Sequence, residues 1–203
     1  MEVQSLAIPE VKLLTPRRFR DERGFFSESY NARAFAEAGI AGPFVQDNHA
    51  YSSQAGVVRG LHFQIAPRAQ GKLVRVTRGA VLDVAVDIRL GSPTYGRHVS
   101  AVLSAANWTQ IWVPQGFAHG YCTLEPDTEV LYKVTDYYAP EYERGVHWND
   151  AALAIAWPVS GDASIVSAKD MRLPPLAEMP AYFHYDPEAA VAGNADNRRR
   201  AGS

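Results

Sequence analysis

Cysteine is nearly absent from this chain: Cys122 is the single cysteine among 203 residues. One cysteine excludes an internal disulfide framework and is typical of a reducing compartment, so we expect a cytoplasmic protein. The residues around Cys122 are largely apolar, which favours a buried and unreactive thiol over a nucleophile.

A basic excess and long apolar runs are also lacking. The 20 Lys and Arg residues are matched by 22 Asp and Glu residues, giving a net charge of −2, whereas nucleic-acid binders normally carry excess positive charge. No apolar run approaches the roughly 18 residues of a membrane span, and the N-terminus lacks the basic and apolar regions of a signal peptide. We therefore expect neither nucleic acid nor a membrane as a partner.

Helical patterns are scarce, and most of the chain is rich in strand-forming residues separated by Gly, Pro, Asn and Asp turns. This spacing predicts an all-β sandwich or barrel of jelly-roll type with a few short peripheral helices. Without internal repeats or a low-complexity linker, we expect a single domain over residues 1–186 and a flexible, arginine-rich tail over 187–203. The predicted strands are 44–46, 57–64, 72–78, 80–88, 97–103, 109–113, 119–124 and 129–136.

The clearest helical pattern covers 31–38, with Asn31 as its N-cap and Gly39 as its stop. Single turns of helix are predicted near 150–154 and 167–171. Within the strand pattern of 81–88, alternation separates an apolar face from a second face that carries two aspartates. The apolar face holds Leu82, Val84, Val86 and Ile88, and the second face holds Asp83, Ala85 and Asp87.

Three polar side chains interrupt the most strand-like part of the sequence: Arg59, His62 and Lys72. Burying a cation without a partner is costly, so such residues in a strand favour a site. Histidine moves protons near neutral pH, lysine stabilises a developing negative charge, and arginine clamps phosphate. Together they predict proton abstraction next to a carbonyl on a phosphate-bearing substrate.

His62 also has a structural interpretation, a core histidine held by a backbone carbonyl, and the presence of Arg59 and Lys72 nearby favours function. Strict alternation places His62 on the face opposite Arg59. A bulge at Gly60 would bring the two side chains to one face.

A second cluster, Pro114-x-Gly116-x-x-His119, is a turn that places a histidine on the next strand, as in many cupin barrels where that histidine binds metal. A metal set would also need a His-x-His pair and a glutamate, whereas His62 is followed by Phe63 and Gln64. Two histidines fall short of a three-ligand site, so we expect no metal.

Two further groups carry possible chemistry. Tyr132 has the chemistry to deliver a proton and Tyr138 to stack on a planar ring, although tyrosines at strand ends usually serve packing. Asp170 would orient a histidine if the chain folded back. From the residues alone, a helix cap is the favoured role of Asp170.

Eight motifs follow one another between about Thr15 and Asp170, and in this order they resemble the dTDP-4-dehydrorhamnose 3,5-epimerases, also called RmlC-type epimerases. The motifs are Asp21-Glu22-Arg23-Gly24-Phe25-Phe26, Val45-Gln46-Asp47-Asn48-His49, Arg59-Gly60-Leu61-His62-Phe63-Gln64, Lys72-Leu73-Val74, Pro114-Gln115-Gly116-Phe117-Ala118-His119-Gly120, Tyr132-Lys133, Trp148-Asn149-Asp150 and Ser167-Ala168-Lys169-Asp170.

The resemblance implies a homodimeric, cupin-type jelly-roll barrel that works without metal or other cofactor on a dTDP-linked 4-keto-6-deoxy sugar. It implies His62 as the base, Asp170 as its partner, Tyr132 as the acid and Lys72 next to the C4 oxygen. It also implies that Tyr138 stacks on the thymine and that the Arg23 and Glu28 region reaches across the dimer. The implied substrate-binding residues are Arg23, Glu28, Gln46, Asn48, Arg59, His119, Tyr138, Glu143 and Lys169.

The expected reaction is epimerisation at C3 and C5 in dTDP-L-rhamnose biosynthesis. The alternatives are a mono-epimerase acting on C3 or C5 of a related sugar, a metal-dependent cupin enzyme, and a sugar-nucleotide binding module without activity. The presence of the implied base, acid and lysine counts against the last of these.

Overall fold

The computed structural model describes residues 1–40, 42–159 and 165–187. The tail expected over 187–203 therefore lies outside the described residues, apart from residue 187. No helix in the described part is both long and apolar enough to cross a membrane.

The described residues form sixteen strands, one α-helix and three 3₁₀ helices. The strands are β1 Glu2–Ser5, β2 Lys12–Thr15, β3 Phe19–Asp21, β4 Gly24–Phe26, β5 Gln46–Ser52, β6 Val57–Gln64, β7 Lys72–Arg78, β8 Ala80–Asp87, β9 Arg89–Leu90, β10 His98–Ser104, β11 Gln110–Val113, β12 Phe117–Thr123, β13 Thr128–Val134, β14 Glu143–Gly145, β15 Ile165–Val166 and β16 Phe183–His184. The helix α1 is Ala32–Glu37, and the 3₁₀ helices are Pro140–Tyr142, Asp170–Arg172 and Leu176–Glu178.

Two six-stranded sheets make up the body. The first has the order β1-β2-β11-β7-β13-β5, and the second has the order β10-β8-β12-β6-β14, with β15 added in parallel to β6. Apolar side chains of both sheets meet in one cluster, for example Val74 and Ile111 of the first sheet with Val81 and Phe117 of the second. The interior therefore lies between the sheets, and the expectation of an all-β jelly roll is confirmed.

The second sheet is also covered on its outer face. The apolar side of β8 packs there against Val146, Leu153 and Leu176 from the C-terminal part of the chain. The other side, which carries Ala85 and Asp83, faces the interior between the sheets. The predicted alternation in β8 is confirmed, and its consequence is that the aspartate-bearing face lines the inside.

The helix α1 covers part of the outer face of the first sheet. Its N-cap is Asn31, whose side-chain oxygen accepts hydrogen bonds from the backbone N–H groups of Arg33 and Ala34 at 3.1 and 3.2 Å. Phe35 of the helix packs against Leu73 and Trp112 of the sheet. The observed helix agrees with the predicted pattern over 31–38 and is one residue shorter at each end.

Several elements differ from the sequence-based expectation. Strands β1 to β4, each only three or four residues long, were not predicted, and most of β5 was missed because its polar residues resemble a turn. Residues 150–154 form a hydrogen-bonded turn and no helix, while the turn of helix expected near 167–171 begins three residues later, at Asp170.

Candidate active site

A two-lobed cavity opens between the sheets. The larger lobe has a volume of about 530 Å³ and the smaller a volume of about 360 Å³. His62, Lys72 and Tyr132 line both lobes and so mark the place where they join. These are three of the four residues for which the resemblance implies chemistry.

The fourth residue, Asp170, pairs with His62. The distance between His62 Nε2 and Asp170 Oδ1 is 2.8 Å, and the carboxylate is almost fully buried. Burial alone would raise the pKa of Asp170, but hydrogen bonds from His62 and from the Gly60 and Ser167 groups outweigh it and lower that pKa. Because an ionised carboxylate only accepts hydrogen bonds, Nε2 carries the proton and Nδ1 is the basic nitrogen.

Asp170 does not cap the short helix in which it lies, so the role favoured from the residues alone is wrong. The N-cap position is Lys169, which makes no side-chain capping bond. The Oγ of Ser167 accepts a hydrogen bond from Asp170 N at 3.1 Å, and the Asp170 carboxylate reaches His62 and Gly60 N instead.

Arg59 and His62 lie on the same face because the pairing of β6 with β12 shifts register. His62 is opposite His119 and Arg59 is opposite Tyr121, so three steps on β6 match two steps on β12. This extra residue is a bulge around Gly60, where a side chain would collide with the backbone of the facing strand at 2.6 Å. The bulge expected from the sequence is confirmed, and both side chains line the larger lobe.

Lys72 enters the cavity from β7, and its Nζ donates a hydrogen bond to the His62 carbonyl oxygen at 3.1 Å. Burial lowers the pKa of Lys72 to about 8, although Asp83 and Glu143 act in the opposite direction. The ammonium group is therefore still charged at neutral pH, where it can donate to an oxygen that gains negative charge.

Tyr132 reaches the cavity from β13 of the first sheet. Burial raises the pKa of its hydroxyl, while Arg59 opposes the shift and Glu143 adds to it. The hydroxyl is therefore protonated at neutral pH and able to donate.

His119 is held by a partner that the sequence did not reveal, Asp83. The His119 Nε2 atom lies 2.9 and 3.0 Å from the two Asp83 carboxylate oxygens, and both side chains are buried. Strand register places Arg59, Tyr121 and Asp83 side by side across β6, β12 and β8. The available signal was the pair of aspartates, Asp83 and Asp87, on one face of the predicted strand 81–88.

The rim of the cavity collects most of the other expected binding residues. The Tyr138 hydroxyl donates to Glu143 Oε2 at 2.8 Å, and Lys169 forms an ion pair with the same oxygen. Gln46 and Asn48 lie side by side on β5, where Gln46 Nε2 donates to Asn48 Oδ1 at 2.8 Å.

Two expected binding residues lie elsewhere. Arg23 is at the turn of the β3–β4 hairpin, where its guanidinium binds Asp21 and is 83% exposed. Glu28 is also exposed. Within the described part of this chain, neither residue lines the two-lobed cavity.

The same described residues contain no group of three or more His, Cys, Asp and Glu side chains that would hold a metal ion. His62 and His119, the two histidines of the cavity, each pair with an aspartate.

Fold and cavity together define a class of protein, a jelly-roll enzyme whose cavity is lined by ionisable side chains from two facing sheets. More particularly, the chain belongs to the dTDP-4-dehydrorhamnose 3,5-epimerase family, whose profile matches residues 5–178. The family resemblance noted from the motifs is thereby confirmed.

Three relatives illustrate the match. A dTDP-4-dehydrorhamnose 3,5-epimerase of Sinorhizobium fredii is 54% identical over 185 residues, which cover 91% of this chain and 94% of the relative. A dTDP-6-deoxy-D-glucose-3,5-epimerase of Legionella pneumophila, solved with dTDP-4-keto-L-rhamnose, is 46% identical, with a TM-score of 0.87 over 91% of this chain and 98% of that one. A 3'-monoepimerase of Streptomyces bikiniensis, solved with dTDP-quinovose, is 31% identical, with a TM-score of 0.83 over 96% and 98% of the two chains.

Proposed function

We propose that this protein converts dTDP-4-dehydro-6-deoxy-D-glucose into dTDP-4-dehydro-L-rhamnose by epimerisation at C3 and C5, a step of dTDP-L-rhamnose biosynthesis for cell-surface polysaccharides. One observation carries the proposal: His62 and Tyr132 come from two facing sheets and line one cavity. A sugar ring between them has a base on one face and an acid on the other, which is what inversion of a carbon centre requires.

The chemistry starts at C3 or C5, where the C–H bond is acidic because it is next to the C4 ketone. His62 Nδ1 accepts the proton, and Asp170 stabilises the imidazolium that forms. The electron pair moves onto the C4 oxygen, where Lys72 stabilises the enolate. Tyr132 then returns a proton to the opposite face, so that one C–H bond is broken and one is formed with inversion. His62 afterwards releases its proton to water and Tyr132 takes one up from water, which restores both groups.

The side chains of the cavity supply every charge that these reaction steps require, and no carbon atom changes its oxidation state between substrate and product. We therefore propose a reaction without metal or redox cofactor. The thymidine would occupy the smaller lobe, with Tyr138 stacked on the thymine and Gln46 and Asn48 beside it. Arg59 and Lys169 supply positive charge from the wall of the larger lobe, which suits the diphosphate.

His119 and Glu143 complete the proposed binding set. Imidazole N–H and carboxylate groups at these positions suit the hydroxyl groups of the sugar. The buried, free Cys122, whose pKa is raised to about 11 by burial, takes no part in the reaction. An inert thiol is compatible with the cytoplasmic location that we propose.

The test of double epimerisation is deuterium incorporation at equilibrium in deuterated water. We expect NMR to show solvent deuterium at both C3 and C5 of the sugar, because one base next to the C4 ketone can reach either proton. Label at a single carbon would instead support a mono-epimerase, the kind of enzyme to which the Streptomyces bikiniensis relative belongs.

We also propose that the protein is a homodimer whose β3–β4 hairpin completes the partner's cavity. The hairpin exposes three aromatic side chains, Phe19, Phe25 and Phe26, of which Phe26 is 70% exposed. Exposed aromatic residues beside a charged group are typical of an interface. Arg23 on the hairpin lies outside its own chain's cavity and is available to a second subunit.

Subunit complementation tests this arrangement. The His62→Asn and Arg23→Ala variants, each impaired alone at low substrate, are mixed, dissociated and reassociated. A mixed dimer then contains one site with both native residues, so we expect recovery of up to about a quarter of wild-type activity. Without recovery, Arg23 does not act on the partner's site.

A further inference from the structure

The segment that carries Tyr138 is held in place by glutamine side chains. Residues 135–139 lie between β13 and the next 3₁₀ helix and have no regular secondary structure. We call Gln46, Gln64 and Gln70 the glutamine clamp, since their amide groups bind consecutive backbone groups of this segment. The contacts are Gln70 Nε2 to Asp136 O at 2.7 Å, Gln64 Nε2 to Tyr137 O at 3.1 Å, Tyr138 N to Gln46 Oε1 at 3.0 Å and Ala139 N to Gln64 Oε1 at 2.8 Å.

Gln64 is the centre of the clamp. The residue is 3% exposed, and its Nε2 also donates to Arg68 O at 2.7 Å, so both N–H groups and the oxygen have partners. It lies two residues after His62 on β6. Its bonds therefore fix the Tyr138 segment relative to the strand that carries the proposed base.

The Tyr138 side chain is held at its other end as well. Its hydroxyl donates to Glu143 Oε2 at 2.8 Å, and Glu143 is itself bound to Lys169. Although Tyr138 is 53% exposed, its backbone and hydroxyl are both anchored. An exposed ring held in this way is a ready-made stacking surface, which needs little ordering when a ligand binds.

We propose that the glutamine clamp is a positioning device for nucleotide binding, in which Gln64 sets the affinity for the thymidine diphosphate by fixing Tyr138. Gln64 lines the same lobe, but its hydrogen-bonding groups are engaged within the protein, so its proposed effect on the nucleotide passes through Tyr138. This inference rests on the proposed function for the identity of the nucleotide. It adds a role for a residue outside the proton-transfer machinery.

The direct test is the Gln64→Met variant, which keeps the length of the side chain and removes its hydrogen bonds. We expect Kd for dTDP, measured by calorimetry, to rise about 10-fold, because stacking on a displaced ring is weaker. KM for the sugar nucleotide should rise in parallel. We expect kcat to change less than about threefold and its pH profile to stay the same, because His62 and Asp170 are untouched.

The matched control is Gln115→Met. Gln115 Nε2 donates to the backbone oxygen of Ala69 at 3.0 Å in the neighbouring loop, and its side chain is exposed. It makes the same kind of bond without touching the Tyr138 segment, so Kd for dTDP should stay at the wild-type value. Equal Kd values for wild type and Gln64→Met would overturn the proposal, as would a loss of kcat with a shifted pH profile.

A double-mutant cycle isolates the route through the ring. In a Tyr138→Ala background, Gln64→Met should add no further loss of dTDP affinity, because the stacking surface is already absent. Additive losses would show that Gln64 acts elsewhere, against the proposal. If Gln64→Met does not fold, Gln70→Met takes its place, since Gln70 is partly exposed and further along the chain from His62.

These outcomes are independent of the proposed chemistry. If the protein binds dTDP more weakly after Gln64→Met but exchanges no substrate protons, the glutamine clamp is supported and the proposed epimerase activity is contradicted. If the protein epimerises the sugar but its Kd for dTDP is the same in Gln64→Met, the activity is supported and the clamp is contradicted. Absence of dTDP binding in the wild type would overturn both.

Discussion

Replacement of His62 by asparagine is expected to lower kcat for epimerisation by about 10²–10⁴-fold, the usual contribution of a positioned general base. Asparagine keeps a hydrogen bond to Asp170 within reach but has no basic nitrogen at neutral pH. Exchange of solvent deuterium into C3 and C5 should be lost together with turnover. Affinity for dTDP should stay within a few-fold of wild type, because His62 lies where the lobes join and the proposed thymine-binding residues Tyr138, Gln46 and Asn48 are unchanged.

The control for this variant is His49→Asn. His49 also pairs with a carboxylate, Glu129 at 3.1 Å, but it alternates with Asn48 and points away from the cavity. Its replacement should leave kcat unchanged. Wild-type turnover in His62→Asn would mean that another group abstracts the proton, and His119 would then be the first candidate.

Asp170→Asn provides a second measure of the same pair. An amide at this position can donate to Nε2, which favours the tautomer with its proton on Nδ1, the atom that must be basic. We expect a loss comparable to that of His62→Asn, and little further loss in the double variant because the two residues act as a unit.

The strands that carry the base and the lysine were predictable from the sequence. The bounds 57–64 and 72–78 agree with β6 and β7, because apolar residues recur there and turn residues flank both segments. A bulge at Gly60 was available from the sequence as a means of bringing Arg59 to the face of His62, and the register shift between β6 and β12 supports it. Local periodicity was thus enough to predict the strands that carry Arg59, His62 and Lys72.

The rest of the site depends on contacts that are distant in sequence. Asp170 follows His62 by 108 positions, and nothing near Asp170 distinguishes a partner of histidine from a helix cap. Only the family resemblance connected the two residues. Asp83 was missed for a related reason, because alternation showed its face but not that the side chain of His119 reaches it from the neighbouring strand, where His119 itself is opposite Ala85.

Polar strands were the least predictable elements. Strand β5 reads Gln-Asp-Asn-His-Ala-Tyr-Ser, a composition that suggests a turn, yet it is the edge strand of the first sheet. Its inward residues Gln46 and Asn48 line the cavity and not the apolar core. Because the inward positions of β5 are polar, the strand lacks the alternating apolar pattern by which strands are recognised in a sequence.

Replacement of Lys72 by methionine is expected to abolish most activity while making the protein more stable. Loss of one donor to a developing oxyanion lowers kcat by about 10²–10³-fold. In the wild type, kcat/KM should also fall as the pH rises above about 8, because burial lowers the pKa of Lys72 to about 8 and the neutral amine stabilises the enolate less. The pH profile of dTDP binding should lack this step.

The stability change follows from the same pKa. Lys72 has an ordinary pKa of 10.5 in the unfolded chain and a pKa of about 8 in the fold. Below about pH 8 both states carry the proton, and the folded state bears the full cost of a buried charge. Between about 8 and 10.5 the unfolded state binds more protons, so the stability of the wild type rises with pH.

Lys72→Met removes that cost and should therefore raise Tm at pH 7, with a difference from wild type that shrinks as the pH approaches 10.5. Thermal unfolding of the variant and the wild type at pH 7 and pH 10 measures the difference in Tm and its dependence on pH. The matched control is Lys133→Met, which removes a lysine whose Nζ forms an ion pair with Asp47 at 2.9 Å at the surface; its Tm should change little at either pH. A lower Tm for Lys72→Met at pH 7 would show that the lysine stabilises the fold. The expected rise would show that its charge is kept at a cost to stability, a trade-off common at functional sites.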